Sequence, residues 1–164
     1  MRSLHVFVPL ALLLLAACGT EIGDECRQSR DCSPDGDRAC DVSSPGGYCT
    51  VVGCDSGSCP SEAVCVRFFS AETDNVACEP HASGHGDSDC TADEVCTLGG
   101  HCLPQGAQTR FCMRACSDDG DCRDAYECRD RDLMVSHGGE PIPPPDGVHP
   151  EDPQGFCAPR PPGA

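Results

Sequence analysis

Seventeen cysteines, six histidines and 27 acidic residues carry the reactive chemistry of this 164-residue chain. A cysteine sulfur can bridge to another cysteine, bind a metal as thiolate, attack as a nucleophile or take up a lipid, and its neighbours decide which. Cys18 stands apart, directly after an apolar run. Cys26 opens a series that recurs every few residues as far as Cys157. Seventeen is odd, so at least one cysteine has no partner within the chain. Zinc is the competing use of dense cysteine, but it is chiefly a use for reducing compartments, and no paired Cys-x-x-Cys occurs here. Redox catalysis also prefers Cys-x-x-Cys at a helix start. Structural disulfides are therefore the reading for the sixteen cysteines after Cys18.

Other candidate chemistry is sparse. His81, His85 and His101, with Asp87 and Asp89, bring imidazoles and carboxylates near one another in sequence, a donor set that suits several divalent metals. Their spacing matches no metal motif, and no metal or other cofactor is assigned. Asp118, Asp119 and Asp121 in "SDDGDC" lack the alternate carboxylates and sixth-position glycine of a Ca²⁺ loop. They read as a turn, which Asp and Gly suit. No Gly-x-Ser-x-Gly, His-Glu-x-x-His or phosphate-binding glycine loop is present, so no catalytic residue is assigned and the chain reads as a non-enzyme.

The framework that would hold these groups cannot be an ordinary apolar core. Beyond residue 17 only 18 of 147 residues are Leu, Ile, Val or Phe, and Trp is absent. Burial on that scale falls short of an ordering cost of about 1–2 kcal/mol per residue. Each disulfide closing a loop of ten to forty residues contributes roughly 3 kcal/mol in the loop-entropy account. The expected fold class is therefore small and disulfide-rich, with short β-hairpins, irregular loops and little helix beyond a signal peptide. All 27 acidic residues and 10 of the 11 basic ones lie beyond residue 17. Such a surface repels nucleic acid, which is bound through neutralised phosphates, and does not by itself adsorb to anionic lipid.

The cysteine spacing divides the chain into four tandem units: 26–53 (Cys26, Cys32, Cys40, Cys49), 54–80 (Cys54, Cys59, Cys65, Cys78), an atypical 81–112 (Cys90, Cys96, Cys102 and an extra Cys112), and 113–164 (Cys116, Cys122, Cys128, Cys157). Asp precedes the second cysteine at Asp31, Asp89 and Asp121, and Ser58 does so in the second unit. The third unit lacks a first cysteine. "EVCTLGGHC" predicts a hairpin with a two-residue Gly99-Gly100 turn, which would turn Cys96 away from Cys102. Residues 63–69 are expected to form a second hairpin returning through Asn75 to Cys78, with Phe68 and Phe69 either covering a disulfide or forming a binding patch. The Pro-rich loop, 133–155, reads as a solvent loop held at both ends, with a recognition loop as the alternative.

Residues 1–17 have the marks of an export signal: Arg2, an apolar run and small Ala16 and Ala17. That run is too short to span a bilayer comfortably, which takes about 20 residues. "Leu15-Ala16-Ala17-Cys18" resembles the lipobox of bacterial lipoproteins. The resemblance implies diacylglyceryl transfer to the Cys18 sulfur, cleavage before it and further acylation, palmitate-like chains anchoring a tether of residues 18–25. Gly19, rather than Asp, then implies the outer membrane of a Gram-negative bacterium, facing the periplasm or the cell surface.

The cysteine units are similar to repeats in lipoproteins of GC-rich Gram-negative bacteria, and loosely to the Dickkopf amino-terminal cysteine-rich domain and to EGF-like or EB modules. Excluding third-to-fourth bonds leaves first-to-third with second-to-fourth, or first-to-fourth with second-to-third. The former, as in many small cysteine-rich modules, would pair Cys26 with Cys40, Cys32 with Cys49, Cys54 with Cys65, Cys59 with Cys78, Cys90 with Cys102, Cys96 with Cys112, Cys116 with Cys128 and Cys122 with Cys157. The resemblance implies a secreted, lipid-anchored binding, adhesion or spacer module with a protein or cell-surface ligand. A protease inhibitor presenting clamped loops and a metal-capture protein are the alternatives.

Overall fold

The computed structural model describes residues 20–70, 76–80, 90–144 and 149–163. The signal segment, Cys18, His81, His85, Asp87 and Asp89 lie outside them. Strands and loops dominate. Strands β1 (Ala39–Asp41) and β2 (Tyr48–Thr50) form one hairpin, and β4 (Glu94–Cys96) and β5 (Cys102–Pro104) form another. Between them stands a five-stranded sheet. It contains β3 (Ala63–Phe69), β6 (Gln108–Cys116), β7 (Tyr126–Arg129), β8 (Glu140–Pro141) and β9 (Gly155–Pro159), in the order β7-β9-β6-β3-β8. Two short α-helices, α1 (Ser29–Cys32) and α2 (Arg131–His137), complete the regular structure apart from 3-10 turns.

One local plan recurs. The aspartate before the second cysteine folds its carboxylate back onto the residues after the first. Asp31 Oδ2 accepts from the N–H groups of Arg27 and Gln28 at 2.9 and 3.1 Å. Asp121 Oδ2 accepts from those of Ser117 and Asp118 at 2.8 and 3.4 Å. Ser58 Oγ does part of the same work, accepting from Asp55 N at 2.8 Å. These backbone bonds hold the Asp31 and Asp121 carboxyls below the ordinary carboxylate range. After each second cysteine a turn closes, with Gly36, Ala63, Glu94 and Tyr126 donating to the carbonyls of Ser33, Pro60, Thr91 and Arg123.

The strand that leaves this turn carries the third cysteine, and its antiparallel partner carries the fourth. Cys40 lies opposite Cys49, Cys65 opposite Cys112, Cys96 opposite Cys102 and Cys128 opposite Cys157. Eight disulfides are formed among the described residues. Six join the cysteines that the likeness to small cysteine-rich modules pairs: Cys26–Cys40, Cys32–Cys49, Cys54–Cys65, Cys90–Cys102, Cys116–Cys128 and Cys122–Cys157. The other two correct the expectation. Cys59 bonds Cys112, not Cys78, and Cys96 bonds Cys78, not Cys112.

The physical reason is strand pairing. The expected return through Asn75 lies outside the described residues; β3 pairs along its length with β6, which sets Cys112 across from Cys65. Cys78 instead lies beside the β4–β5 hairpin, its N–H donating to Gly100 O while Cys102 N donates to Val76 O, both at 2.9 Å. Cys78 thus fills the vacant first place of the third unit. The boundaries at 80 and 112 change accordingly: the set Cys78, Cys90, Cys96, Cys102 is inserted within the set Cys54, Cys59, Cys65, Cys112. β6 then runs on to Cys116, joining the second set to the fourth without a break.

The expected Gly99-Gly100 turn is corrected as well. Thr97 N donates to His101 O and Gly100 N to Thr97 O, so the loop has three residues, 98–100, closed by Gly100 at φ 75°. Cys96 and Cys102 are therefore opposite one another on one face, not turned apart. The residues expected to tether the body are built into it. Ile22 is fully buried, Gly23 N donates to Cys49 O at 2.9 Å, and Arg114 pairs with Glu21.

Tyr48 ties the first set to the sheet. Its ring stacks on Tyr126 at 5.4 Å, with the Arg123 guanidinium over both rings. Its hydroxyl donates to Cys157 O at 3.1 Å and accepts from Arg114 N at 2.9 Å. Burial pushes the phenol up to about 12. The fold favours the neutral phenol, so this stabilisation is complete below the ordinary value near 10 and is lost as pH rises toward about 12. Chemical-denaturation midpoints are expected to fall across that window, by about 2–3 kcal/mol from this group. Tyr48→Phe should remove the late step from the ultraviolet tyrosinate titration and cost about 1–2 kcal/mol at neutral pH.

Candidate functional site

A cavity of about 330 Å³ opens where the inserted set meets the sheet. Its walls come from three places: Phe68 and Phe69 at the end of β3, Leu98, His101 and Leu103 of the inserted hairpin, and Met134, Val135 and His137 of α2. Asp130 caps α2 by accepting from Leu133 N at 3.0 Å, and Gly138 ends it at φ 82°. At Gly139, φ 81°, a Cβ would stand 2.5 Å from the Phe68 ring, so only glycine lets the chain pass this wall. Phe68 packs against the core cluster that includes Cys54, Cys65 and Cys112. It packs edge-on against Phe156 at 6.1 Å and tilted against Phe111 at 6.2 Å.

Glu140 also lines the cavity, and behind it stands a buried ion pair at the cavity floor. Arg67 Nε donates to Glu140 Oε1 at 2.7 Å, and both side chains are nearly inaccessible. Each ion also grips the inserted hairpin. Arg67 Nη2 donates to Cys96 O at 3.1 Å, and Leu98 N donates to Glu140 Oε2 at 2.5 Å. Nη2 further lies 3.1 Å from His149 Nε2. Guanidinium has no acceptor, so His149 Nε2 is the acceptor there and carries no proton. Burial pushes the Glu140 carboxyl up, against the pull of Arg67 and the Leu98 N–H. This pins much of the loop expected to be solvated: Glu140, Pro141, His149 and Pro153 are buried, and β8 joins β3 through Val66–Pro141 and Arg67–Glu140.

A second carboxylate orients the cavity's imidazole. Glu127 Oε1 lies 2.7 Å from His137 Nδ1 and accepts from Arg129 Nε at 3.0 Å. Arg129 also donates to the carbonyls of His137, Gly138 and Pro159. Burial pulls its guanidinium below the usual value, and Glu127 opposes that shift. With Nδ1 committed to Glu127, Nε2 is the nitrogen His137 can offer to a guest. The arrangement can seat an apolar group against Phe69, Leu98, Leu103 and Val135 and meet a polar atom at His101 or His137.

Of the residues singled out in the sequence, Phe68, Phe69 and His101 come together here. Asp118, Asp119 and Asp121 form a 3-10 turn, as their composition implies. Arg67, Glu127, Arg129, Glu140 and His149 were not singled out. Arg67 offered one cue: a charge inside the apolar strand "AVCVRFF" needs a buried partner. Cysteine sulfurs cluster within 4.8 Å in each set, for example Cys26, Cys32 and Cys40, but every one of them is bonded in a disulfide. The bonding and strand content define a small disulfide-rich protein. Comparison with known proteins finds no matching family model, no similar curated protein and no similar solved structure.

Removing one ion of the floor should be more harmful than removing both. Arg67→Met leaves Glu140 buried without its counter-charge and is expected to cost about 3–5 kcal/mol. Arg67→Met with Glu140→Leu should recover most of that loss. Denaturation of the three proteins with bridges intact checks the order.

Proposed function

We propose that this chain is a non-enzymatic, lipid-anchored exported binding module, held to the outer membrane by acyl chains on Cys18 and recognising a protein or cell-surface ligand through the cavity beside α2. The dense disulfides belong to an oxidising, exported environment. No helix among the described residues is long and apolar enough to cross a membrane. The observation that carries the binding reading is the cavity itself, with apolar walls from separate segments and a few polar groups converging, the usual make-up of a recognition site. Val135 stands at its edge, about half exposed at 53%. Two or more acyl chains would give durable attachment.

Two variants test the parts separately. Cys18→Ser is expected to stop processing and remove the protein from the membrane fraction; a processed, membrane-retained variant would contradict the anchor. For the cavity, anchor-free protein (residues 19–164) should bind a cell-surface component, and Val135→Arg, at an exposed position, should lose that binding with thermal stability unchanged. Inhibition of a protease panel would favour the inhibitor reading, and stoichiometric Zn²⁺ or Ca²⁺ uptake by calorimetry would favour metal capture.

A further inference from the structure

The folded body begins almost at the anchor. Thr20 is already fixed: its hydroxyl donates to Asp31 O at 3.1 Å, and Arg38 donates to its carbonyl. Ile22 is fully buried two residues later. Only Gly19 therefore stands between Cys18 and a built-in residue, so their Cα atoms are at most about 7 Å apart. A group attached at Cys18 cannot hold this protein at arm's length. Whatever surface the acyl chains enter must lie against the side of the body that carries Thr20, the first cysteine set.

The surface on that side carries both signs, with Glu21, Glu25, Asp31, Asp35 and Asp37 exposed alongside Arg27 and Arg30. Most described arginines are spent internally: Arg38, Arg67, Arg110, Arg114, Arg123, Arg129 and Arg160 all sit in ion pairs. Arg27 and Arg30 are exposed and appear in none of the ion pairs among the described residues. Both flank or lie in α1, whose Asp31 carbonyl receives Thr20. In a chain of formal net charge −16, these two exposed cations lie next to the attachment point among exposed acids of the same set. They would not recruit the protein to a membrane, since the net charge opposes that. Once the acyl chains bring the surface near, they can meet lipid phosphates within a Debye length of about 8 Å.

We infer that the first cysteine set is a membrane-contacting face: the Thr20, Arg27 and Arg30 side rests on phospholipid headgroups and fixes the orientation of the body. This inference rests on the acylation of Cys18 proposed above. It makes the protein a module standing directly on its membrane rather than one swinging on a tether.

The chain has no tryptophan, so an introduced one reports cleanly. Asp35 is exposed on the first set, and Val135 lies on α2. Acylated Asp35→Trp protein in vesicles of phosphatidylglycerol with brominated acyl chains should float with the lipid and show blue-shifted, quenched emission, while Val135→Trp protein should float without quenching. Inserting about 10 Gly/Ser residues after Gly19, a reach of roughly 15–20 Å, should abolish the Asp35→Trp quenching and leave flotation intact. Adding Arg27→Gln and Arg30→Gln should weaken it; an unchanged signal overturns the role given to the arginines. Flotation with no quenching at Asp35→Trp, or equal quenching at both probes, overturns the orientation. Failure to float refutes the acylation instead. In that case the Cys18 thiol, coupled through maleimide to a phospholipid, puts the orientation to the same quenching test.

Discussion

The structure depends on one constraint of strand pairing. In each cysteine set the third and fourth members face each other across an antiparallel pair, so their sulfurs emerge on the same side. Neither bonds the other. The third reaches the first cysteine and the fourth reaches the second, so two bridges lie side by side over each hairpin and clamp the segment before it. In this chain those clamps stand where another protein would have a cluster of leucines. The apolar residues that do exist, Ile22, Val66, Leu98, Met134 and Phe156 among them, are pooled in one core shared between sets.

That pooling explains the nesting. β3 and β6 form the longest pairing among the described residues, seven residues in register. Keeping it requires the intervening chain to leave the sheet and return, and the third set is what fills the excursion. A set so inserted needs its own attachment. Arg67 and Glu140 supply it, each ion satisfying the other and one backbone group of the inserted hairpin. The cavity opens at that junction, where three segments meet.

Much of this could be read from cysteine arithmetic. The number of sets and the turn at Asp118–Asp121 follow from spacing and turn chemistry, whereas the order of bonding within a set comes from the likeness to other small cysteine-rich modules. Two bridges escaped because they depend on which strands pair, and Cys78 and Cys112 exchange places once β3 chooses β6. A cue was present. The residue before each closing cysteine is aromatic or His: Tyr48, Phe111, His101 and Phe156. "VAC" at Cys78 breaks that rule and "RFC" at Cys112 obeys it. Tyr48, Phe111 and Phe156 carry ring contacts of the core, which gives the rule its physical basis. The cavity was less legible. Its aromatic wall and His101 could be noticed, but Glu127 with His137 and Arg67 with Glu140 are 10 and 73 residues apart, and only the fold brings them together.

The central claim is that one cysteine set is nested inside another. Proteolysis of the oxidised protein without reduction, followed by mass spectrometry of the bridged peptides, tests it directly. The account predicts peptides joining Cys59 to Cys112 and Cys78 to Cys96, with no free thiol between Cys26 and Cys157. Peptides joining Cys59 to Cys78 and Cys96 to Cys112 would contradict it and restore four sets laid end to end.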